Sequence, residues 1–512
     1  MDKNSKVSSS ISLLLSSLLI GLFSGSIAVF YRFLLSKLDI IRNIIYSNSN
    51  IFISILIVIV AFLLGIIVSK LLKWAPLSGG SGIPQVQGEI VGAFNQNSFR
   101  VTVSKLFGGA IASLVGLSLG REGPSIQLGA TSAKWLSEKL GNDKTDEKVF
   151  LTAGAAAGLT AAFSAPISGL VFILEELHKS FSKKVVAMSF LAAVVADIIA
   201  GWVFKIKPVF SFEMNQVVPT KYYILLIPMF IITCLFGKIF NFLIIYLQNR
   251  FKKIKFGQDY KIATYFAFIA LVGLTYKSIL GGGHSFIENI VSNNNYSLLL
   301  IILLLIFKLI MTVSSYATGS QGGIFLPVLV IGGLSGLAYF NVCFKFGLIE
   351  KIYLSNFVVL SMVAMLTAVV RSPLLSVVLV LELNGNMIHL LGLAFSSILS
   401  YFICLALDFD PIYDSLLENL LNNNVTNKNI NDNFTMFEIK LGYNNKVANK
   451  KLMDINFPEN ALIVEIDSLG HKTVPNGSTI LQTGDIITVL VKDEQLYKTR
   501  MNVLDILGEK KE

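Results

Sequence analysis

Gly120-Arg121-Glu122-Gly123-Pro124 sets an acidic and a basic side chain next to each other between glycines. The 512-residue chain around it is 54% hydrophobic and only 14% charged. A charge near a bilayer midplane costs roughly 3 kcal/mol or more unless it is paired or hydrated, and chains that keep one there usually move ions or protons past it. Pro124 suits the first turn of a helix, because its φ is fixed and it has no N–H to satisfy. This places Glu122 at the positive end of a helix that starts inside the membrane.

The rest of the chain supplies the membrane. Soluble proteins carry about a quarter charged residues; with half that share and a mean hydropathy of +0.68, this is a polytopic membrane protein. Apolar runs recur at Ile11–Val29, Ile51–Val68, Tyr222–Phe242, Leu298–Val313, Phe325–Leu337 and Leu390–Leu407. Several approach the ~20 residues a spanning helix needs. Others are short and broken by Gly or Pro, and read as tilted, re-entrant or half-spanning helices whose open ends are covered by protein or water. Lys3 and Lys6 precede the first run, which continues through Phe30 to Leu35 without a clean cleavage site. It reads as a retained first membrane helix rather than a removed leader.

The net charge of +10 marks cytoplasmic loops rather than a nucleic-acid partner. The clearest such loops are Arg250–Lys255 and His178–Lys184. Cys234, Cys343 and Cys404 lie in apolar segments, so they read as core residues with no disulfide framework.

Composition shifts after about residue 420. Asn422, Asn423, Asn424, Asn427, Asn429, Asn431 and Asn433 crowd one polar stretch that reads as a linker. Beyond it lies a small soluble α/β module. Phe437–Leu441, Leu462–Ile466 and Ile486–Val491 are strand-like, turns fall at Pro475-Asn476-Gly477 and Thr483-Gly484-Asp485, and Asp493–Leu507 is a candidate closing helix.

The membrane part repeats itself faintly. Phe163-Ser164-Ala165-Pro166, an apolar run and Glu175 align with Val370-Arg371-Ser372-Pro373, an apolar run and Glu382. A Gly-rich turn and a proline likewise occur at Gly120–Pro124 and at Gly322–Pro327. Two halves with helices broken in matching places mark a transporter fold with its substrate held between the halves.

Four broken-helix segments carry the candidate chemistry: Gly79-Gly80-Ser81-Gly82-Ile83-Pro84, Gly120–Pro124, Gly322-Gly323-Ile324-Phe325-Leu326-Pro327 and Pro411-Ile412-Tyr413. Glycine lets backbone approach a ligand closely. Proline starts a helix whose free N–H groups face that ligand. Helix N-termini aimed at one point form an anion site without a full positive charge, which avoids holding the anion too tightly for transport. Ser81 and Tyr413 add neutral hydroxyl donors.

Together these segments resemble the CLC family of chloride channels and chloride/proton exchangers, from about residue 10 to 415, because GSGIP, GREGP, GxFxP and a late tyrosine stand in that family's order. The resemblance implies that Ser81 and Tyr413 give side chains to a central chloride site and that the backbone amides of Ile324 and Phe325 complete it. It implies that Glu122 is the extracellular gating glutamate. Glu176 falls where exchangers of the family place their inner proton-transfer glutamate, and channels usually have a neutral residue there. Gln85 and Gln87 stand where some bacterial relatives have acids, and Ser164 replaces a frequent Asn. The tail from about Thr435 to Leu507 is similar to the RCK or TrkA C-terminal regulatory type.

The expectation is therefore an all-α polytopic fold with inverted halves and re-entrant helices, plus a small soluble α/β C-terminal domain. Its parts are a cytoplasmic N-terminus at 1–10, a membrane transport domain at 11–418 with halves at about 11–205 and 221–418, an Asn-rich linker at 419–434 and a regulatory domain at 435–512. The resemblance implies a multi-pass protein of a bacterial plasma membrane with its C-terminal domain cytoplasmic. It further implies a homodimer moving chloride and protons, no enzyme activity, no cofactor, no metal, no nucleic acid, and a small regulatory ligand at the tail for which cyclic di-AMP is a candidate. A passive voltage- or proton-gated chloride channel and a potassium-transport subunit stay open as alternatives. An intramembrane hydrolase, suggested by Gly116-Leu117-Ser118-Leu119-Gly120, lacks a preceding strand and triad partners. Glu175 with His178 makes only half of a di-metal pattern. Glu175 reads as a solvated helix end, Glu382 as structural, Lys105 as a buried structural charge, and Gly281-Gly282-Gly283-His284 as a flexible loop with His284 exposed.

Overall fold

The computed structural model of the chain describes residues 3–47, 50–141, 144–178, 182–205, 209–210, 212, 214, 216–254, 256–293, 296–424, 434–442, 445–458, 460–468, 471–492 and 496–508. The chain divides into two compact units, Met1–Gln87 with Gln96–Glu418, and Gly88–Asn95 with Asn419–Glu512. Most of the Asn-rich stretch, residues 425–433, and parts of both basic loops, at 179–181 and 255, lie outside the described residues.

The first half of the chain forms α1 Lys3–Ile45, α2 Ile51–Trp74, α3 Ile83–Ile90, α4 Ser98–Val115, α5 Glu122–Leu140, α6 Lys144–Phe163, α7 Pro166–Phe172 and α8 Lys183–Phe204. A π turn at Ile173–Leu177 extends α7. The second half forms α9 Tyr223–Lys253, α10 Gln258–Thr275, α11 His284–Asn293, α12 Leu298–Ala317, α13 Phe325–Lys345, α14 Leu354–Val370, α15 Pro373–Asn384, α16 Leu390–Ala406 and α17 Ile412–Asn424. Among the described residues, nine segments are long and apolar enough to cross a membrane. The eight-residue α3 and seven-residue α7 are far too short to span, as the broken apolar runs imply.

Local chemistry sets many of the ends. Asn97 accepts from the Arg100 amide at 3.0 Å to start α4, and Gly116 at φ 97° ends it. Helices α5 and α6 approach closely: a Cβ on Gly129 would lie 2.1 Å from the Gly154 carbonyl. In lipid, where no hydrophobic gain drives helices together, such small-residue contacts carry the packing.

The repeat is built into the backbone. Pro166 and Pro373 open α7 and α15, and the residues two before them, Ser164 at φ 54° and Arg371 at φ 69°, both turn left-handed. The two copies then cap each other. Glu175 accepts from the Leu374 and Leu375 amides at 3.1 and 2.7 Å. Glu382 accepts from the Ile167 and Ser168 amides at 3.1 and 2.8 Å and from the Ser168 hydroxyl. Glu175 is thus a helix cap and not a solvated helix end: orphan amides at an N-terminus attract a carboxylate.

In the C-terminal unit, β1 Phe434–Lys440, β2 Ala461–Ser468, β3 His471–Thr473 and β4 Ile486–Lys492 form an antiparallel sheet in the order β1-β4-β2-β3. Ile487, Val489 and Val491 alternate inward with Phe437 and Ile439, and Val503, Leu504 and Leu507 of α18 (Leu496–Leu507) complete that core. The alternation has the two-residue period of a sheet with one covered face. The helix expected from Asp493 is described from Leu496; residues 493–495 lie outside the described residues. The three-residue β3 is too short to leave a periodic signal.

Candidate functional site

The glycine-rich turns are joined to one another. Gly120 and Gly323 exchange both backbone hydrogen bonds at 2.7 Å, while the Gly80 amide donates to Gly319 and the Gly322 amide to Gly80, each at 3.0 Å. These pairings bring the start of α5 against the start of α13, and both against the turn that carries Ser81. The contacts leave no room for side chains. A Cβ on Gly123 would lie 2.2 Å from Ser81 Oγ, and one on Gly323 would lie 2.9 Å from the Gly123 amide nitrogen.

Arg121 is the N-cap of α5 and Glu122 its first helical residue, two positions ahead of Pro124. Glu122 is fully buried, and neither carboxylate oxygen has a hydrogen-bond partner of good geometry. Backbone amides of Arg121, Glu122 and, from α13, Leu326 face it. The carboxylate therefore lies at the meeting of two helix N-termini, a place whose fixed positive potential suits an anion. The Arg121 Nε–H is also buried without a partner, so the two side chains do not form a hydrogen-bonded pair.

Ile324 is the N-cap of α13 and Phe325 its first residue, and among the described residues neither amide has a backbone acceptor. Ser81 and Tyr413 are both fully buried, and both hydroxyls lack a partner of good geometry. Tyr413 is therefore not a tyrosine of the membrane–water boundary. Its ring stacks on Phe325 with centroids 5.9 Å apart, and Phe172 packs edge-on to Phe325 at 6.2 Å. Ser81, Tyr316, Glu122 and Glu176 are the electrostatic neighbours of its hydroxyl. Buried polar groups nearly always find partners. A cluster of orphan donors around one point, each short of a partner, is what a small anion satisfies.

Glu176 sits in the π turn, buried, and accepts from the Ser372 hydroxyl at 2.6 Å. Its neighbour Glu175 points to the opposite task of capping α15. π turns recur at functional positions because the extra residue re-aims the side chains around it.

A polar shell holds the Ser81 turn. Lys105 Nζ, fully buried, donates to the carbonyls of Ser78 and Gly80 at 2.9 and 2.8 Å. Gln85 Nε2 donates to the Gly79 carbonyl at 2.8 Å. A carboxylate at position 85 could not donate that bond. Lys308 does for the second half what Lys105 does for the first, donating to Ile279 and Gly281 at 3.0 and 2.6 Å. The Gly281–Gly283 segment is consequently a held turn, and His284 is half-buried at the start of α11, not exposed. Ser118 shares its hydroxyl with Thr312 at 2.8 Å, and the described residues hold no cluster of metal-ligating side chains.

Sequence reading missed Tyr316, whose hydroxyl accepts from the Ser81 amide at 3.4 Å, the Leu326 amide, and Ser372. Ser372 stood inside the aligned repeat, which was its one signal. Tyr316 has no pattern around it.

Two halves with matching broken helices whose N-termini meet at buried orphan donors define a membrane transporter for a small anion. The chain belongs to the voltage gated chloride channel family, whose model matches residues 60–405. A TrkA-C domain matches residues 436–503. The chain is 30% identical over 443 residues to the H(+)/Cl(-) exchange transporter ClcA of Vibrio cholerae serotype O1, covering 81% of this chain and 90% of that protein. It is 30% identical over 360 residues to the transporter of the same name from Klebsiella pneumoniae subsp. pneumoniae, covering 68% and 75%. Its fold is similar to a crystal structure of a slow cyanobacterial Cl-/H+ antiporter, with a TM-score of 0.74 at 24% identity, covering 80% of this chain and 98% of that one. A CLC-type fluoride/proton antiporter gives 0.65 at 21% identity, covering 79% and 97%.

Proposed function

We propose that this chain is a secondary transporter that exchanges chloride for protons across the cell membrane. The observation that carries the reading is the Glu122 carboxylate, buried without a hydrogen-bond partner of good geometry where α5 and α13 begin and facing their amides. Deprotonated, it takes the seat of an anion among those amides. Protonated, it loses the charge that holds it there and yields the seat to chloride. One group thus binds either a proton or a place in the anion path, which links the two flows. The relatives' names point the same way.

Chloride rests among the Ser81 and Tyr413 hydroxyls and the amides of Ile324 and Phe325. Glu176, beside the same tyrosine, loads the proton from the cytoplasmic side through the Ser372 end of the site. Helix dipoles and neutral hydroxyls hold a halide with moderate strength, which lets it leave again. The protein acts as a homodimer with one pathway in each copy. The domain at 435–512 lies in the cytoplasm and takes a small regulatory ligand, cyclic di-AMP being the first to try.

Purified protein in liposomes tests the reading, with halide and proton fluxes recorded together. A chloride gradient is expected to drive protons uphill. Glu122→Gln is expected to keep chloride flux and lose proton coupling, and Glu176→Ala to uncouple protons while some chloride flux remains. Chloride flux that moves no protons in the unmodified protein makes it a passive channel and overturns exchange.

A further inference from the structure

A cavity of about 40 Å³ borders the Glu122 site on the side of α1 and α11, lined by Tyr31, Asp39, Gly120, Arg121, His284 and Leu326 among others. That is room for a few waters or one halide. Gly120 and Leu326 belong at once to its wall and to the surroundings of the Glu122 carboxylate: a Cβ on Gly120 would lie 2.1 Å from Glu122 Oε2. The cavity is thus the next compartment along from the gate.

Its polar lining includes a donor short of a partner. The Arg121 Nε–H is buried and unpaired. Tyr31 is 1% exposed and lines the same cavity, its hydroxyl resting on Gly109. The charges that face His284 are Arg121 at the start of α5, Asp39 and Arg42 on α1, and Glu288 one turn along its own helix. Lys308 of α12 lies behind Gly283, with Nζ tied to the Ile279 and Gly281 carbonyls. Asp39 is already neutralised: its Oδ1 takes the Arg42 guanidinium at 2.7 Å and the Ser113 hydroxyl at 3.2 Å. The local charge of the cavity therefore turns on the imidazole, whose ordinary range of about pH 5 to 8 is moved toward acid by burial and by the Arg121 and Arg42 cations.

We propose that this cavity is an outer halide subsite, with the Arg121 Nε–H, the Tyr31 hydroxyl and His284 as its donors, and that the charge on His284 sets its affinity. External acid charges the imidazole and draws chloride to the mouth of the path; external base discharges it and lets the halide go. The proposal rests on the chloride/proton reading above and deepens it by adding a waiting position beyond the gate.

The test uses full-length protein in liposomes carrying Glu122→Gln, which removes the gate's own titration, with internal pH held constant. The external chloride concentration for half-maximal flux is measured at external pH 4.5 and 8, the acid value set low because burial and Arg121 hold the imidazole below its ordinary range. It is expected to be on the order of three- to tenfold lower at the acid pH, the effect of one added charge a few ångströms away in a partly hydrated site. Adding His284→Gln is expected to leave it at the high value at both pH values, and His284→Arg at the low value at both. Tyr31→Phe is expected to raise it at both while keeping the pH dependence. Retention of the pH dependence with His284→Gln, or its absence in the Glu122→Gln parent, overturns the proposal. If Glu122→Gln carries no halide flux at all, the exchange reading itself fails. Bromide diffraction then tests the cavity alone: anomalous density between Arg121 and His284 in acid crystals supports the subsite, and no density there overturns it.

Discussion

Glu175 and Glu176 are adjacent in the chain, and replacing each with alanine in turn tests whether one is structural and the other carries the proposed proton transfer. Glu175 accepts two amide hydrogen bonds, from Leu374 at 3.1 Å and Leu375 at 2.7 Å, at the start of α15. A hydrogen bond to a charged group contributes about 1.5 kcal/mol or more, so two contribute about 3 kcal/mol. Glu175 is half-buried, and solvent both screens the pair and rehydrates the freed amides, which leaves about 2 kcal/mol. Glu175→Ala is therefore expected to lower unfolding stability by about 2 kcal/mol with the proton-to-chloride ratio unchanged. Glu382→Ala, which frees the Ile167 and Ser168 amides at the start of α7, is expected to behave the same way. Glu176→Ala is expected to lose proton coupling, with a stability change of about 1 kcal/mol from the bond to Ser372. Denaturing-detergent titration reads the first quantity and paired halide and proton flux the second. If Glu175→Ala uncouples protons at full stability, the division of labour between the two acids is wrong.

Gly123→Ala places a methyl 2.2 Å from Ser81 Oγ; the forced shift of about 1 Å is expected to cut chloride flux by roughly a hundredfold while stability falls by about 1–3 kcal/mol, and flux with unchanged halide dependence would put Ser81 outside the site. Ser164→Asn is expected to stabilise by about 1 kcal/mol, because asparagine tolerates the φ of 54° better than serine and its side-chain oxygen can still accept from Arg32 Nη1, which now bonds Ser164 Oγ at 2.8 Å. Thermal melts in detergent check it. Lys105→Met leaves the Ser78 and Gly80 carbonyls without their donor, at about 1–3 kcal/mol for each buried group, and is expected to weaken halide dependence. Lys308→Met, which loosens only the Ile279–Gly281 turn, is expected to leave the central halide dependence closer to that of the unmodified protein.

Much of this was legible in the chain because the causes are local. An apolar run of a given length reports a membrane helix whatever surrounds it. Glycine and proline at fixed offsets report where a helix must break, so Ser81, Glu122, Ile324 and Phe325 were locatable as residues at helix starts. The alignment of Pro166 through Glu175 with Pro373 through Glu382 reported two copies of one unit. Strand alternation in the tail was equally plain for β1, β2 and β4.

The tertiary structure decided what those residues meet. Nothing in the order of residues said that Glu175 would reach across to α15 while Glu176 turned to Ser372, because a π turn and the packing of α7 on α15 set their directions. Nothing local marked Tyr316 as the partner of the Ser81 amide, or Leu326 as an amide facing Glu122, because each contact joins segments far apart in the chain. His284 reads as a loop residue until Lys308 is seen to hold its turn. Hydrophobic period, helix punctuation and repeat spacing act between neighbours, so they are written in sequence. The buried charge and the orphan donors that suit a small anion come together only where distant helix ends converge.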